Sequence, residues 1–345
     1  MKGTFQLLVT NYYLLPRICG NTSCVCLYAI FAVVAISMIS FAVIQLPPGD
    51  YITDMINRTR QMSGKSDPEA EQRLRETYGF DQPMPIQYVR WMSNIVFKGE
   101  FGYSFFLKRD AGEIIKERMP MTVAMVLGSF LLTWAIALPL GIYAAVKKYS
   151  IFDYGAGFIG FFGLAVPSFV LAIVLLYFTY ITFGKATIGL FSSEYVDAPW
   201  SFAKFVDLLK HLWVPALLAA MTGIGGLTQT MRANLLDELN KPYVNTARSK
   251  GLAEGKLLWK YPVRHALNPF ISTIGWLLPA LVSGNVIISI VLNLPTAGSQ
   301  MYQALIQQDQ YVAAGFILVL SALTVIGTFI SDLLLAWLDP RIRLA

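Results

Sequence analysis

Polar and apolar positions do not alternate along this chain. They separate into blocks, and six of the blocks are apolar runs long enough to cross a bilayer: 24–46, 119–146, 154–183, 211–231, 270–294 and 312–338. An uncharged apolar stretch of about 18 residues or more reads as a transmembrane helix. Each run is therefore expected to be one span. The first could instead be a secretory signal, whose apolar core is about 7–15 residues long. At 23 residues, ending in Gln45-Leu46-Pro47-Pro48 with no small-residue cleavage site, it is read as a retained helix.

Glycine and proline fall inside these runs: Pro139 and Gly141; Gly160, Gly163 and Pro167; Gly223, Gly225 and Gly226; Pro279 and Gly284. Small residues let helices approach closely in lipid, and proline is tolerated there. Packing is one reading of these positions. Lining a path, or bending, is the other. Between the first two runs the segment 47–118 is too long for a turn, has 11 acidic and 11 basic residues, and spaces its apolar residues irregularly, as at Tyr88, Val89, Trp91, Ile95, Val96 and Phe97. Short helices are expected there, with a turn-rich stretch at 77–85 and an amphipathic approach to the second span at 113–120.

Composition agrees with this pattern. Of 345 residues, 55% are hydrophobic and 14% charged, against about 25% charged in a soluble domain. The mean hydropathy is +0.54. Basic residues are distributed by side. With the N-terminus placed in the cytoplasm, the inner segments 1–23, 147–153, 232–269 and 339–345 carry 13 of the 27 Lys and Arg with few acids beside them. The outer segments 47–118, 184–210 and 295–311 carry the other 14, matched by 15 acids. The positive-inside rule then puts both termini and 232–269 in the cytoplasm and 47–118 outside. The net charge of +6 follows from topology, and no nucleic-acid partner is needed to explain it.

The three cysteines, Cys19, Cys24 and Cys26, are read as small apolar residues near a helix start, not as a disulfide framework or a metal site. Within the spans the single charge is Asp332, near an end. An ionisable group at mid-bilayer marks ion or proton relays, so this pattern argues against a proton-coupled carrier. The chain also lacks a nucleotide motif. Gly64-Lys65-Ser66 resembles the end of a P-loop, but position 59 is Thr59 where the motif requires glycine. Any motor must be another polypeptide.

The most informative stretch is 232–269. Asn240 and Pro242 can start a helix, on which Tyr243, Thr246, Ala247 and Lys250 share a face by i, i+3, i+4, i+7 spacing. Arg248 and Lys250 suit its last turn, and Gly251 can close it in the left-handed conformation. A second helix fits 253–261, with Leu257, Leu258 and Tyr261 on its apolar side. The result is a helix–glycine–helix knob whose tip carries the small residues Ala247, Gly251 and Ala253. An ordinary basic loop touching lipid headgroups is the plainer reading.

Here a resemblance enters. Tyr243-x-x-Thr246-Ala247-Arg248-x-Lys250-Gly251-Leu252-x-Glu254, followed by Arg264-His265-Ala266-Leu267-Asn268-Pro269, resembles the coupling motif of binding-protein-dependent ABC importer permeases. It is most similar to the dipeptide/oligopeptide/nickel family, in its first (B-type) permease subunit. Tyr78-Gly79-Phe80-Asp81-x-Pro83-x-Pro85-x-Gln87-Tyr88, Gly99-Glu100-Phe101-Gly102-Tyr103-Ser104, Arg118-x-Pro120-x-Thr122 and Leu338-Asp339-Pro340-Arg341-Ile342-Arg343 extend the likeness over nearly the whole chain. Two places depart from the family pattern. Pro262 stands where the second coupling helix usually runs on, so a bend or restart is expected. The first span ends in Pro47-Pro48-Gly49-Asp50 where one proline is common, which leaves the solute open between peptides and oligosaccharides.

The resemblance implies an all-α integral membrane fold of six transmembrane helices, the type I ABC importer permease fold. It divides into residues 1–46 (N-terminus and first span), an extracytoplasmic loop domain at 47–118, and a core permease domain at 119–345 with the coupling loop at 232–269. It further implies a bacterial inner-membrane location and a heterodimer with a second homologous permease subunit. Two cytoplasmic ATP-binding subunits would hold ATP and Mg, and a periplasmic solute-binding protein would deliver cargo. No cofactor, metal or catalytic residue is expected in this chain, only membrane lipid around it. The coupling contact would be Tyr243, Thr246, Ala247, Arg248, Lys250, Gly251, Leu252, Ala253 and Glu254. Candidate path residues are the uncharged polar groups in the spans, chiefly Ser168, Thr222, Gln229, Ser283 and Asn285. A secondary transporter or channel is the alternative, and it would need ionisable or repeat-related broken helices at the midplane. A membrane-embedded enzyme would need polar clusters that the sequence does not display.

Overall fold

A computed structural model describes residues 22–45, 82–104, 106–184, 189–196, 198–277 and 286–338. The described chain is almost entirely helical. It divides into two compact units, one made of the residues up to Ile115 together with those from Ala304 onward, the other of Lys116–Gln303.

In the first unit, α1 (Thr22–Gln45) coincides with the first apolar run. Helix α2 (Met84–Lys98) starts with proline in its first turn and ends at Gly99, whose φ of +71° supplies the left-handed cap that glycine adopts without strain. A two-stranded antiparallel hairpin follows, β1 (Tyr103–Ser104) and β2 (Arg109–Asp110). Asp110 Oδ1 then accepts the Gly112 N–H at 2.7 Å, which satisfies a free donor at the start of the next helix. The last helix, named α13 here, spans Gln310–Leu338. The core of this unit is Phe41, Trp91, Ala314 and Leu318. Phe41 stacks on Trp91 at 5.3 Å between centroids, and the Trp91 indole N–H donates to the Phe101 carbonyl at 2.8 Å.

The second unit contains most of the long α3 (Ala111–Val146), the pair α4 (Ile151–Ala165) and α5 (Ser168–Phe183), and α6 (Phe202–Leu239). Four short helices follow: α7 (Pro242–Ser249), α8 (Glu254–Lys260), α9 (Pro262–Ala266) and α10 (Asn268–Leu277). After a gap in the described residues come α11 (Val286–Val291) and α12 (Ala297–Ile306). One core joins Met125, Ala172, Leu190, Leu208, Leu212, Ala216, Ile288 and Leu292. Another, at the end that bears α7–α9, joins Ala137, Met231, Leu235, Val263, Ala266 and Phe270.

Three of the described helices, Ala111–Val146, Phe202–Leu239 and Gln310–Ile330, are long and apolar enough to cross a membrane. The run 154–183, expected as one span, is two helices bent by 97° at Val166-Pro167, either a broken span or a re-entrant loop. Proline pushes the residue before it out of the helical region, and Val166 sits at φ −93°, ψ 121°. Of the run 270–294, α10 to Leu277 and α11 from Val286 are described, and residues 278–285 lie outside the described residues. Gly160, Gly163 and Gly225 serve packing between α4 and α6. A Cβ at Gly225 would fall 2.3 Å from the Gly160 carbonyl oxygen, and one at Gly163 2.6 Å from that of Met221. Large exposed apolar side chains on α4 and α5, such as Phe158, Phe161, Phe178 and Ile181, suit a lipid surround.

Candidate functional site

The segment 232–269 forms a compact projection of short helices rooted in a core. α6 runs without a break to Leu239, and only Asn240 and Lys241 separate it from α7. Asn240 does not start α7, as its residue type led us to expect. It ends α6, and its side-chain amide donates back to the Leu236 carbonyl at 2.9 Å. Lys241 stands at the N-cap of α7 without a side-chain cap bond, and Pro242 occupies the first turn, where its missing N–H costs nothing.

Burial separates the root of the projection from its tip. Val244 and Leu257 are fully buried, as is Val263 of α9. Thr246, Arg248, Lys250, Gly251, Ala253 and Glu254 are exposed, whereas Tyr243, Ala247 and Leu252 are half-buried. Gly251 has φ +77° and donates its N–H to the Arg248 carbonyl at 3.0 Å. Nothing lies within 4 Å of where its Cβ would be. The backbone, not crowding, demands glycine here. Across this turn the Arg248 guanidinium grips Glu254, with Nε to Oε1 at 2.5 Å and Nη2 to Oε2 at 3.3 Å. Glu254 holds the Arg248 pKa above its usual value, and Arg248 pulls the Glu254 carboxyl below its own. Helices α7 and α8 are thereby clipped together at their solvent-facing ends.

At the root, Glu238 accepts from Lys241 Nζ at 2.5 Å and from the Tyr243 hydroxyl. Burial, helped by Glu238, pushes the Tyr243 phenol well above its ordinary value. The Tyr243 ring stands edge-on to His265, 5.7 Å between centroids, which ties α7 to α9. Pro262 restarts the helix, as its place in the sequence predicts: Tyr261 breaks at φ −119°, ψ −79° and α9 begins on the proline. The projection is thus a fixed object with an exposed tip of small and charged side chains. It can be gripped by another protein and can pass displacement to α6, of which it is a near-continuation.

The candidate path residues are not brought together in the same way. Ser168 opens α5 just beyond the bend. Thr222 is exposed on α6, and Gln229, half-buried on the same helix, reaches towards Gly157 and Gly160 of α4. Ser283 and Asn285 lie outside the described residues.

Two charged groups were not singled out from the sequence. Arg232 and Asp153 form a bidentate pair, Nε to Oδ1 at 2.5 Å and Nη2 to Oδ2 at 2.8 Å. They lie 79 residues apart, so no local pattern joins them. The one local signal was Ser150, a residue type suited to the N-cap, three positions before Asp153. In the first unit, Ser104 of the hairpin donates to the buried Asp309 at 2.5 Å. Burial holds the Asp309 carboxyl above the usual range, and the bonds from Ser104, Val312 and Phe106 only partly offset this.

Comparison with known proteins gives a consistent result. Residues 137–344 match the family described as binding-protein-dependent transport system inner membrane component. Residues 24–126 match the N-terminal family of the same systems. The oligopeptide transport system permease protein AppB of Bacillus subtilis (strain 168) is 32% identical over 318 residues, covering 92% of this chain and 97% of the relative. A putative peptide transport system permease protein of Brucella abortus (strain 2308) is 31% identical, covering 91% and 96%. The inner membrane ABC transporter permease protein YejB of Escherichia coli O157:H7 is 30% identical, covering 80% and 76%.

Proposed function

The chain belongs to the binding-protein-dependent transport system inner membrane component family, and from that premise we propose that it is the permease subunit of an ATP-binding cassette importer for oligopeptide-class solutes. The multi-pass inner-membrane location and the type I ABC permease fold go with the family. The solute class rests on relatives named for peptide and oligopeptide transport, with oligosaccharides as the alternative.

The observation that carries the mechanism is the projection at 232–269. Its tip is exposed, its two helices are clipped by Arg248 and Glu254, and its root continues into a 38-residue helix. Such an element is built to receive a push from outside the membrane and carry it inward. Two ATP-binding subunits, holding ATP and Mg, would seat these tips. ATP-driven closure would draw the tip of this chain and that of a second homologous permease subunit together and open the path outward. Hydrolysis would reset it. A periplasmic binding protein would deliver solute to the opposite face. In this reading both termini and 232–269 face the cytoplasm, as the distribution of Lys and Arg supports. This chain supplies shape and motion, and the hydrolytic chemistry stays with its partners.

The test is reconstitution of the chain with its second permease subunit, the ATPases and the binding protein in proteoliposomes. Uptake of labelled oligopeptides should require both ATP inside the ATPase-accessible compartment and the loaded binding protein. Uptake driven by a proton gradient with ATP absent would overturn the reading in favour of a secondary transporter.

A further inference from the structure

The pair Asp153–Arg232 lies where the first turn of α4 meets α6, ten positions before Pro242 opens the projection. Asp153 is 5% exposed. Besides the two bonds from Arg232, its Oδ2 accepts the Tyr149 N–H at 2.9 Å, and its own N–H donates to Ser150 Oγ at 3.3 Å. Tyr149 is held at φ +64°, a conformation that costs a bulky residue strain. This much fixation is more than helix capping needs, because the Ser150 hydroxyl already caps α4.

A buried ion pair contributes little net stability, since desolvation offsets the attraction. What a bidentate guanidinium–carboxylate pair gives is a fixed direction and distance. The rest of the α4–α6 contact is packing of small residues, with the Leu164 side chain against Gly225, and holds no second ion pair among the described residues. Below the ion pair the helices meet through Gly157 and Gly160 against Gln229 and Gly225, and through Gly163 against the Met221 backbone. The α4 positions ascend while the α6 positions descend, so the helices run antiparallel along one glycine stripe. Glycine faces allow close approach, but they present few side chains that interlock. Register along the helix axes must therefore come from elsewhere, and the ion pair sits at one end of the stripe. At the other end α4 stops at Val166-Pro167 and the chain turns 97° into α5.

We propose that Asp153 and Arg232 act as positioning residues, a peg that locks α4 to α6 so that displacement of the 242–260 projection is passed through α6 to α4 and the bend at Pro167. The proposal rests on the importer reading above for the use of that displacement, though not for the peg itself. Without the peg, α6 would slide on the glycine stripe and the motion would stop at α6.

Two measurements separate these parts. In a background with the native cysteines replaced, spin labels at Gly155→Cys and Ala233→Cys, both exposed positions, report the α4–α6 separation in the detergent-solubilised protein. Arg232→Lys keeps the charge but not the fork and should broaden the distance distribution, as should Asp153→Asn. An unchanged narrow distribution in Arg232→Lys would overturn the peg whatever the protein transports. In the reconstituted complex, both variants should assemble with their partners at the wild-type level and hydrolyse ATP, yet import about fivefold less solute per ATP or worse. A broadened distribution with wild-type solute per ATP would overturn the link to transport. Loss of assembly and transport in equal proportion would reduce the pair to a structural role and overturn it too. Failure of the wild-type complex to couple import to ATP, with the distances behaving as stated, would instead strike the importer reading.

Discussion

Substitutions at Gly251 should rank by backbone conformation and not by size. The position is open, with nothing within 4 Å of a Cβ. The cost comes from φ +77°. A left-handed backbone costs an ordinary L-residue roughly 1–2 kcal/mol, a factor of about 5–30 in the population of the native turn. Asparagine visits that region readily and should cost least. Alanine should cost about the stated amount, and valine, which is β-branched, more. Proline fails twice: its φ is fixed near about −65°, and it removes the N–H that donates to Arg248 at 3.0 Å. The tip would then open and the Arg248–Glu254 clip would lose its geometry. Each variant would be judged on two readouts, the amount of permease in purified membranes and the solute imported per ATP hydrolysed. We expect membrane levels close to wild type throughout, because the core of Val244, Leu257 and Val263 is untouched. Coupling should fall in the order Asn, Ala, Val, Pro. A proline variant that couples normally, or a series that tracks side-chain volume with asparagine worse than alanine, would refute the backbone account.

Further outcomes follow from other parts of the chain. Cysteines placed at Lys108 and Lys250, in a background freed of Cys19, Cys24 and Cys26, should react with an impermeant thiol reagent from opposite sides of the membrane; labelling from one side would contradict the topology. Gly225→Leu forces a side chain into a place where even a Cβ lies 2.3 Å from the Gly160 carbonyl; overpacking of this kind costs about 1–3 kcal/mol and should lower the thermal midpoint of the solubilised protein, whereas Gly226→Ala, facing open space, should not. Tyr243→Phe takes a hydrogen bond from Glu238, a carboxylate with 15% side-chain exposure; loss of a bond to a charged group costs about 1.5–3 kcal/mol and should speed amide exchange across Pro242–Ser249. Because the Tyr243 phenol is raised in the folded state, its contribution is complete below the ordinary phenol value of about 10 and is lost as pH rises beyond it. The difference in exchange between wild type and Tyr243→Phe should accordingly shrink in alkali.

Much of this architecture was legible in the sequence, and the gaps have physical causes. Apolar blocks located the long helices because a bilayer imposes length and composition together. Those same two criteria are blind to direction, so 154–183 read as one span although Pro167 stands within it. In the soluble segment, local chemistry succeeded where one residue decides the outcome: Gly251 closes α7 and Pro262 starts α9. It failed at Asn240, since asparagine suits both ends of a helix and its neighbours decide which one it serves. The candidate path residues could be picked by polarity but not by where they meet. A lining is a property of several helices together and not of single residues.

The distribution of charge also bears on how force moves through the chain. The apolar runs carry almost no ionisable groups, the kind of side chain on which an ion gradient acts. Three charge pairs of the second unit lie around the end of α6: Asp153 with Arg232, Glu238 with Lys241, Arg248 with Glu254. Along that helix and its continuation the pairs grow more exposed, from a 5% exposed carboxylate at Asp153 through 15% at Glu238 to 66% at Glu254. An exposed pair lies within reach of a docking partner, which suits a tip that must be gripped. A buried bidentate pair is held in one geometry, which suits a junction that must not slip. A single line of charge pairs thus grades from grip to joint. The uncharged interior beyond it is left to respond by changing shape.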